Sequence, residues 1–138
     1  MRVLLDTNII LDLLLKRDPW FSEAKALFDA HAEGKLAAHI SASMLTDVFY
    51  IVGRLLGREQ ARVAVQTCLS AFEVCAVDRE ALEAAIALPG ADFEDNLQLV
   101  CANRSNLAAI VTRDKDGFAG ADMPVLSPAE MIMRLARQ

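Results

Sequence analysis

Short apolar segments alternate with helix-like segments along the chain, and this alternation limits the possible folds more than any other feature. The apolar segments predict five β-strands, at residues 2–5, 36–41, 72–77, 107–112 and 123–127. Apolar residues at helical spacing and capping residues predict seven α-helices, at residues 8–15, 20–34, 41–57, 58–72, 78–88, 92–106 and 127–138. Strands that alternate with helices predict a three-layer α/β/α sandwich with a mainly parallel five-stranded sheet.

The length and composition indicate a single domain away from membranes. A chain of 138 residues suits one core, and we expect residues 1–138 to form one domain. Hydrophobic residues make up 54% of the chain, but no apolar stretch reaches the roughly 18 residues needed to span a bilayer. The apolar run after Met1 is interrupted by polar residues and lacks a small-residue cleavage site, unlike a signal peptide. We therefore expect a cytoplasmic protein.

Acidic residues follow the predicted strands at the ends where parallel α/β sheets bind ligands. Asp6 interrupts an apolar run directly after the first strand, where burial of a carboxylate is costly. Asn8 follows it on the same side of an extended chain. Asp114 and Asp116 follow the fourth strand. Asp47 lies inside the helix after the second strand, and Asp92 and Asp95 open the helix that leads into the fourth strand.

Each acid taken alone also has an ordinary explanation. Asp92 and Asp95 could stabilise a helix N-terminus, Asp114 and Asp116 could be loop residues, and Asp47 could be a solvated helix position. If these carboxylates converge instead, their repulsion raises at least one pKa, and a divalent cation removes the conflict. Oxygen ligands suit Mg²⁺ or Mn²⁺, and such an ion activates water and stabilises charge on an attacked phosphate. Metal binding would then explain why an acid interrupts the first apolar run.

Four segments of the chain resemble the PIN domain, and most of all the VapC-like ribonucleases of bacterial toxin–antitoxin pairs. They occur in order within residues 3–118 and read LLDTNIILD, SASMLTDVFYI, DFEDNLQLVCA and IVTRDKDGF. The resemblance implies a metal-dependent endoribonuclease acting on single-stranded RNA. It also implies a sheet ordered 3-2-1-4-5, a homodimer and a small antitoxin partner.

The resemblance further implies a set of site residues. The acidic site would comprise Asp6, Asp47, Asp95 and Asp114. Three of these, Asp6, Asp95 and Asp114, would hold Mg²⁺ or Mn²⁺. The supporting polar residues would be Asn8, Asp92, Thr112 and Asp116. Many members of the family carry glutamate where this chain has Asp47, so the shorter carboxylate could bind the metal through water.

The charge of the chain requires a local source of RNA affinity. The net charge is −5, whereas nucleic-acid binders are usually basic, so RNA contacts must come from local positive charge. Arg113 and Lys115 flank the acidic motifs, and Arg54 lies in the middle of the chain. We expect these three cations to contact RNA, although each could equally be an ordinary solvated residue.

Three other functions remain open at this point. A catalytically silent PIN domain would use the same fold for binding only. A receiver-type phospho-acceptor domain needs an acceptor aspartate after the third strand, for which Asp78 could serve, but no lysine follows the fifth strand. A haloacid-type phosphatase needs a D-x-D spacing, and the second position here is Asn8.

Overall fold

The computed structural model describes residues 1–138, and its five strands form one sheet in the order β3-β2-β1-β4-β5. The strands are β1 (Arg2–Leu5), β2 (Ala37–Ser41), β3 (Glu73–Cys75), β4 (Ala109–Val111) and β5 (Val125–Leu126). All four strand pairings are parallel. Both the predicted parallel sheet and the order implied by the resemblance are confirmed. Receiver domains have the order 2-1-3-4-5, so the receiver alternative is wrong.

Seven α-helices connect and flank the strands, as predicted, with small shifts at their ends. They are α1 (Thr7–Leu14), α2 (Phe21–Ala32), α3 (Met44–Leu56), α4 (Arg58–Ala71), α5 (Arg79–Ala87), α6 (Phe93–Arg104) and α7 (Pro128–Ala136). A 3₁₀ turn over Lys115–Phe118 was not predicted. None of the helices combines the length and the apolar character that crossing a bilayer requires.

Local capping explains where several helices begin. Asp78 accepts a hydrogen bond from the main-chain N–H of Ala81 at 2.9 Å and caps α5. Ser127 and Glu130 form a reciprocal capping box at the start of α7, with Pro128 in the first turn. Gly57 joins α3 to α4 with a φ of +94°, a conformation that favours glycine.

The central strand β1 is buried on both faces, which requires a helical layer on each side. Val3 and Leu5 belong to a core shared with α1, α2, α3, α4 and α7. Leu4 points to the opposite face and packs in a second core with Leu99 of α6 and Ile110 of β4. These two cores confirm the three-layer arrangement.

The last three strands are shorter than the sequence predicts. Leu107 is buried but lies outside β4, and Val77 packs against the core without belonging to β3. Apolar patterning reports burial rather than strand pairing, so it extends the predicted strands into neighbouring buried loops. The carboxyl ends of β1 and β4 lie side by side, because Leu5 pairs with Val111 in the parallel register.

Candidate active site

Asp6 lies at the centre of the candidate site, where β1 ends and α1 begins. Its main-chain N–H donates to the carbonyl oxygen of Val111 in β4 at 3.0 Å, and only 6% of the residue is exposed. Strand order reverses between β1 and β4, so Asp6 occupies the position where parallel α/β sheets bind ligands.

Four donors surround the Asp6 carboxylate, two on each oxygen. Oδ1 accepts from the main-chain N–H of Thr7 and from Nε2 of Gln98, both at 2.7 Å. Oδ2 accepts from Oγ1 of Thr112 at 2.7 Å and from Nδ2 of Asn8 at 3.3 Å. These bonds compensate for the lost hydration of a buried carboxylate. The burial of Asp6 is therefore explained by hydrogen bonding even without a metal ion.

The side chain of Thr112 links Asp6 to Asp114. Besides donating to Asp6, its Oγ1 accepts from the main-chain N–H of Asp114 at 3.0 Å. Asn8 also contacts this segment through two long hydrogen bonds of 3.5 Å. Its Nδ2 donates to Thr112 Oγ1, and its Oδ1 accepts from the main-chain N–H of Arg113. Asn8 and Thr112, two of the four predicted supporting residues, thus contact Asp6, and the main chain of Asp114 is linked to Asp6 through Thr112.

Asp95, in the first turn of α6, carries a charge that the chain does not neutralise. Burial, followed by the charges of Asp92, Asp6 and Asp114, raises the pKa of Asp95 to about 6. A Cβ added to Gly117 would overlap Oδ2 of Asp95 and lie 3.7 Å from Oδ2 of Asp114. Both carboxylates therefore face the 3₁₀ turn at its glycine, and their repulsion is the kind that the sequence predicted.

Glu94 belongs to the acidic cluster, although the sequence analysis did not select it. Burial is the main cause that raises the pKa of Glu94 to about 7, followed by the charge of Asp47 and a hydrogen bond with Asp47. Thr7 Oγ1 donates to Glu94 Oε1 at 3.3 Å and acts in the opposite direction. Asp47 thus reaches the cluster through Glu94. The spacing of Glu94 four residues before Gln98 could have indicated a shared helix face.

Gln98 is a second residue that sequence reasoning left out of the site. The residue is 1% exposed, and its Nε2 holds Asp6 Oδ1. Its Oε1 is buried without a hydrogen-bond partner, which is costly for an amide oxygen. The available signal was the position of Gln98 three residues after Asp95, a spacing that puts both side chains on one face of α6.

Two of the predicted supporting acids lie at the rim of the site. Asp92 Oδ1 accepts from the main-chain N–H of Asp95 at 3.0 Å and caps α6, the ordinary role that its position also allowed. Asp116 is exposed in the 3₁₀ turn. Both acids line a cavity of about 210 Å³ that also borders Asp95.

The three predicted RNA-contacting cations differ in their surroundings. Arg113 pairs with the buried Asp12 at 2.6 Å, and Lys115 pairs with Glu130 at 2.8 Å. Arg54 is exposed on α3, with its guanidinium carbon 5.7 Å from the centre of the Tyr50 ring. Contact with RNA remains a prediction for all three, and the first two already have carboxylate partners within the chain.

The residues of the cluster could hold a divalent cation. Its donors are carboxylate and amide oxygens, which hard divalent cations prefer. The raised pKa of Asp95 is a feature that a cation at this edge would relieve. No three acidic, histidine or cysteine side chains stand at ligand spacing around one point.

The chain belongs to the PIN-domain family. The sequence profile of the PIN domain matches residues 2–116, a range that includes all the residues of the acidic cluster. PIN-domain proteins are nucleases as a family. A comparison with curated proteins found no match.

Solved structures of VapC proteins have the same fold. VapC20 of Mycobacterium tuberculosis, described as a sarcin-ricin loop cleaving toxin, is 17% identical with a TM-score of 0.70 over 86% of this chain and 94% of that chain. A toxin–antitoxin complex from Klebsiella pneumoniae contains a chain that is 25% identical with a TM-score of 0.68 over 91% and 97%. VapBC2 of Rickettsia felis, bound to a promoter DNA fragment, is 19% identical with a TM-score of 0.67 over 92% and 98%.

Proposed function

We propose that the chain is a Mg²⁺- or Mn²⁺-dependent endoribonuclease that hydrolyses phosphodiester bonds of single-stranded RNA, with residues 1–138 acting as one domain. One observation carries the proposal, the convergence of carboxylates at the sheet edge where strand order reverses. These carboxylates belong to Asp6, Asp47, Glu94, Asp95 and Asp114. Membership of a nuclease family supports it.

Asp6, Asp95 and Asp114 would hold the metal, which when bound would activate water and stabilise charge on the attacked phosphate. The chain's own contribution is to orient these ligands. The donors on Asp6 fix the direction of its oxygens, and the hydroxyl of Thr112 aligns the main chain of Asp114 with it. Gly117 leaves open the space that an Asp95 oxygen occupies.

The Glu94–Asp47 pair is the group best suited to accept the proton of the attacking water. The pKa of Glu94, raised to about 7, lies where a general base is most efficient at neutral pH. The hydrogen bond with Asp47 would keep the accepted proton shared between the two carboxylates. Thr7 Oγ1 orients the Glu94 carboxylate toward the Asp6 corner.

The proposed biological role is that of a toxin controlled by a small antitoxin in the cytoplasm. VapC20 is described as a toxin that cleaves the sarcin-ricin loop, and the Klebsiella pneumoniae structure as a toxin–antitoxin complex. The similarity of fold supports the same kind of pairing here. A homodimer is part of the proposal, and the exposed side chains of Tyr50, Leu55 and Leu56 on α3 provide apolar surface for protein contacts.

Substitution of Asp95 tests the nuclease activity directly. Asp95→Asn should abolish cleavage of single-stranded RNA in Mn²⁺, and EDTA should inhibit the parent. Asp29→Asn is the matched control, since Asp29 lies on α2 and pairs with Lys25, away from the acidic cluster. Near-parental cleavage by Asp95→Asn would contradict the proposal.

A catalytically silent PIN domain is the second candidate, because four hydrogen bonds already satisfy Asp6 without a cation. Calorimetric titration with Mn²⁺ distinguishes the two functions. The nuclease should bind Mn²⁺ in a way that Asp95→Asn weakens. The silent domain should show no tight binding that depends on Asp95.

A further inference from the structure

Asp12 is a fully buried carboxylate that the proposed mechanism does not use. It lies on α1, the same helix that Asp6 caps, and its exposure is 0%. Two arginines compensate its charge: Arg17 at 2.9 Å and Arg113 at 2.6 Å. A carboxylate this deeply buried needs such partners, since an unpaired buried charge is strongly destabilising.

Arg113 lies two residues after the end of β4, and its side chain is held on several sides. Its Nε donates to Asp12 Oδ2 at 2.6 Å and its Nη2 to Asp12 Oδ1 at 3.2 Å, a bidentate arrangement. The guanidinium carbon lies 3.9 Å from the centre of the Trp20 ring, within the range of a cation–π interaction. The side chain is 25% exposed.

The segment that leaves β4 is therefore attached to α1 at two successive residues. Thr112 bonds to Asp6 at the first end of the helix, and Arg113 bonds to Asp12 further along it. Asp114, the next residue, is a proposed metal ligand. The main-chain N–H of Asp114 donates to Thr112 Oγ1, and Asp114 is bonded directly to Arg113 in the chain. Its position therefore depends on both attachments.

We propose that Asp12 and Arg113 are positioning residues, whose ion pair fixes the Thr112–Asp114 main chain against α1 and so aligns Asp114 with Asp6 for metal binding. The inference rests on the proposed function. It assigns Arg113 to an intramolecular anchor rather than to a phosphate of the RNA. Groups behind metal ligands commonly control metal affinity in this way.

Arg113→Met and Arg17→Met form a matched pair for testing the anchor in the full-length chain. Each variant removes one of the two arginines from the same buried carboxylate. Only Arg113 is part of the segment that carries Asp114, whereas the remaining side-chain hydrogen bond of Arg17 goes to the main-chain oxygen of Asn8 at 3.5 Å. Hydrogen exchange, Mn²⁺ calorimetry and the salt dependence of RNA binding would be measured on both variants and the parent.

Arg113→Met should accelerate hydrogen exchange at the Asp114 amide without metal and weaken Mn²⁺ binding by about 10–100-fold. Arg17→Met should leave the Asp114 amide and the Mn²⁺ affinity close to those of the parent. The slope of RNA affinity against salt should be the same in all three proteins, because no phosphate contact is lost. Arg113→Lys keeps the charge but loses the bidentate geometry, so it should fold and still weaken Mn²⁺ binding.

Equal losses of Mn²⁺ affinity in the two methionine variants would overturn the inference, because the effect would then come from unpairing Asp12. A salt slope reduced by about one unit in Arg113→Met, with Mn²⁺ affinity retained, would also overturn it and make Arg113 a phosphate contact. If the methionine variant does not fold, unchanged Mn²⁺ affinity in Arg113→Lys would overturn it equally.

Failure of the proposed function has a different signature. A parent that neither binds Mn²⁺ nor cleaves RNA would end the nuclease proposal. The exchange rate of the Asp114 amide, measured without metal, would still decide whether Arg113 anchors the segment.

Discussion

The two sides of the acidic cluster compensate for their carboxylates in different ways. On the β1–β4 side, Asp6 accepts four hydrogen bonds and Asp12 binds two arginines. On the α6 side, Asp95 and Glu94 lie among other carboxylates with their pKa values raised to about 6 and about 7. We call the β1–β4 side, whose carboxylates have donors or arginines as partners, the satisfied half of the site. We call the α6 side, whose carboxylates lie among other carboxylates, the under-compensated half.

The two halves would contribute to metal binding in different ways. The satisfied half is ordered before any ligand arrives, which lowers the cost of placing a metal ligand. The α6 half retains the excess negative charge that attracts a cation. A site built only of under-compensated acids would destabilise the fold, whereas one built only of satisfied acids would have little affinity for a metal.

The largest expected effect comes from replacing one acid on each side. Asp6→Asn and Asp95→Asn should each reduce Mn²⁺-dependent cleavage by at least about 100-fold, because each removes a proposed metal ligand. Their effects on metal-free stability should be opposite. Asp6→Asn should destabilise the fold by about 1–3 kcal/mol, since an amide NH₂ must replace an oxygen that accepts two hydrogen bonds. Asp95→Asn should stabilise it by removing repulsion.

Urea denaturation in EDTA at pH 7.5 measures both stabilities. Crowding of carboxylates alone would predict stabilisation by both substitutions, so the sign of the Asp6→Asn change is decisive. Stabilisation by Asp6→Asn would show that the two halves of the site do not differ.

The next largest effect is expected at the glycine that faces Asp95. Gly117→Ala would place a methyl group on Asp95 Oδ2 and displace the carboxylate, so Mn²⁺ affinity should fall by about 10–100-fold. Gly120→Ala is the control, because nothing lies within 4 Å of its added Cβ. That control should retain Mn²⁺ affinity and gain about 0.5 kcal/mol of stability from reduced freedom of the unfolded chain. Equal Mn²⁺ affinities in the two variants would mean that Asp95 need not occupy this position.

The satisfied half of the site was the easier half to predict from sequence. An acid at the end of an apolar strand is a local pattern, and parallel strands bring such ends together whatever the details of packing. The prediction of Asp6 with Asn8 depended on the end of one strand, whereas Thr112 was implied only by the resemblance to the PIN domain. The N-caps at Asp78 and Ser127 were local patterns of the same kind.

The other contacts depend on how helices rotate and pack, which the sequence does not specify. Glu94 meets Asp47 only because α6 and α3 present those faces to the same edge. Arg113 pairs with Asp12, which is buried on α1 and has the sequence context of an apolar helix, so the sequence does not indicate this pair. Long-range pairs of this kind appear only once the tertiary structure is known.

A pH effect on the metal-free protein should follow from the under-compensated half. Folding raises the pKa of Glu94 from 4.5 to about 7 and that of Asp95 from 3.8 to about 6, so the folded state binds these protons more tightly than the unfolded state. The stability they contribute is complete below their unfolded pKa values and is lost as pH rises through the folded ones. The melting temperature in EDTA should therefore fall between pH 5 and about 7.5.

Glu94→Gln should flatten this decline, because a neutral amide cannot titrate. Glu130 provides the control, because its pKa is shifted in the opposite direction from that of Glu94. Lys115 holds the pKa of Glu130 down at about 2, so Glu130 stays ionised between pH 5 and 7.5 in the folded state. Glu130→Gln should leave the slope unchanged. The histidines are common to all three proteins and cancel in the comparison. An equal slope in parent and Glu94→Gln would place the titrating group elsewhere.

The smallest effect is expected for Asp47, which contacts the under-compensated half only through Glu94. Asp47→Asn removes the nearby charge that raises the pKa of Glu94, so the pKa of Glu94 should fall. The acidic limb of the pH–rate profile for cleavage should therefore shift to lower pH, while Mn²⁺ affinity changes little. Thr46→Ala is the control, because Thr46 is the exposed neighbour whose hydroxyl donates to the carbonyl oxygen of Ser43 at 2.9 Å. A cleavage assay across pH 5–8 with calorimetry at pH 7.5 separates the possibilities. A loss of Mn²⁺ affinity as large as that of Asp95→Asn would make Asp47 a metal ligand. An unchanged pH profile with unchanged rate would remove Asp47 from the site.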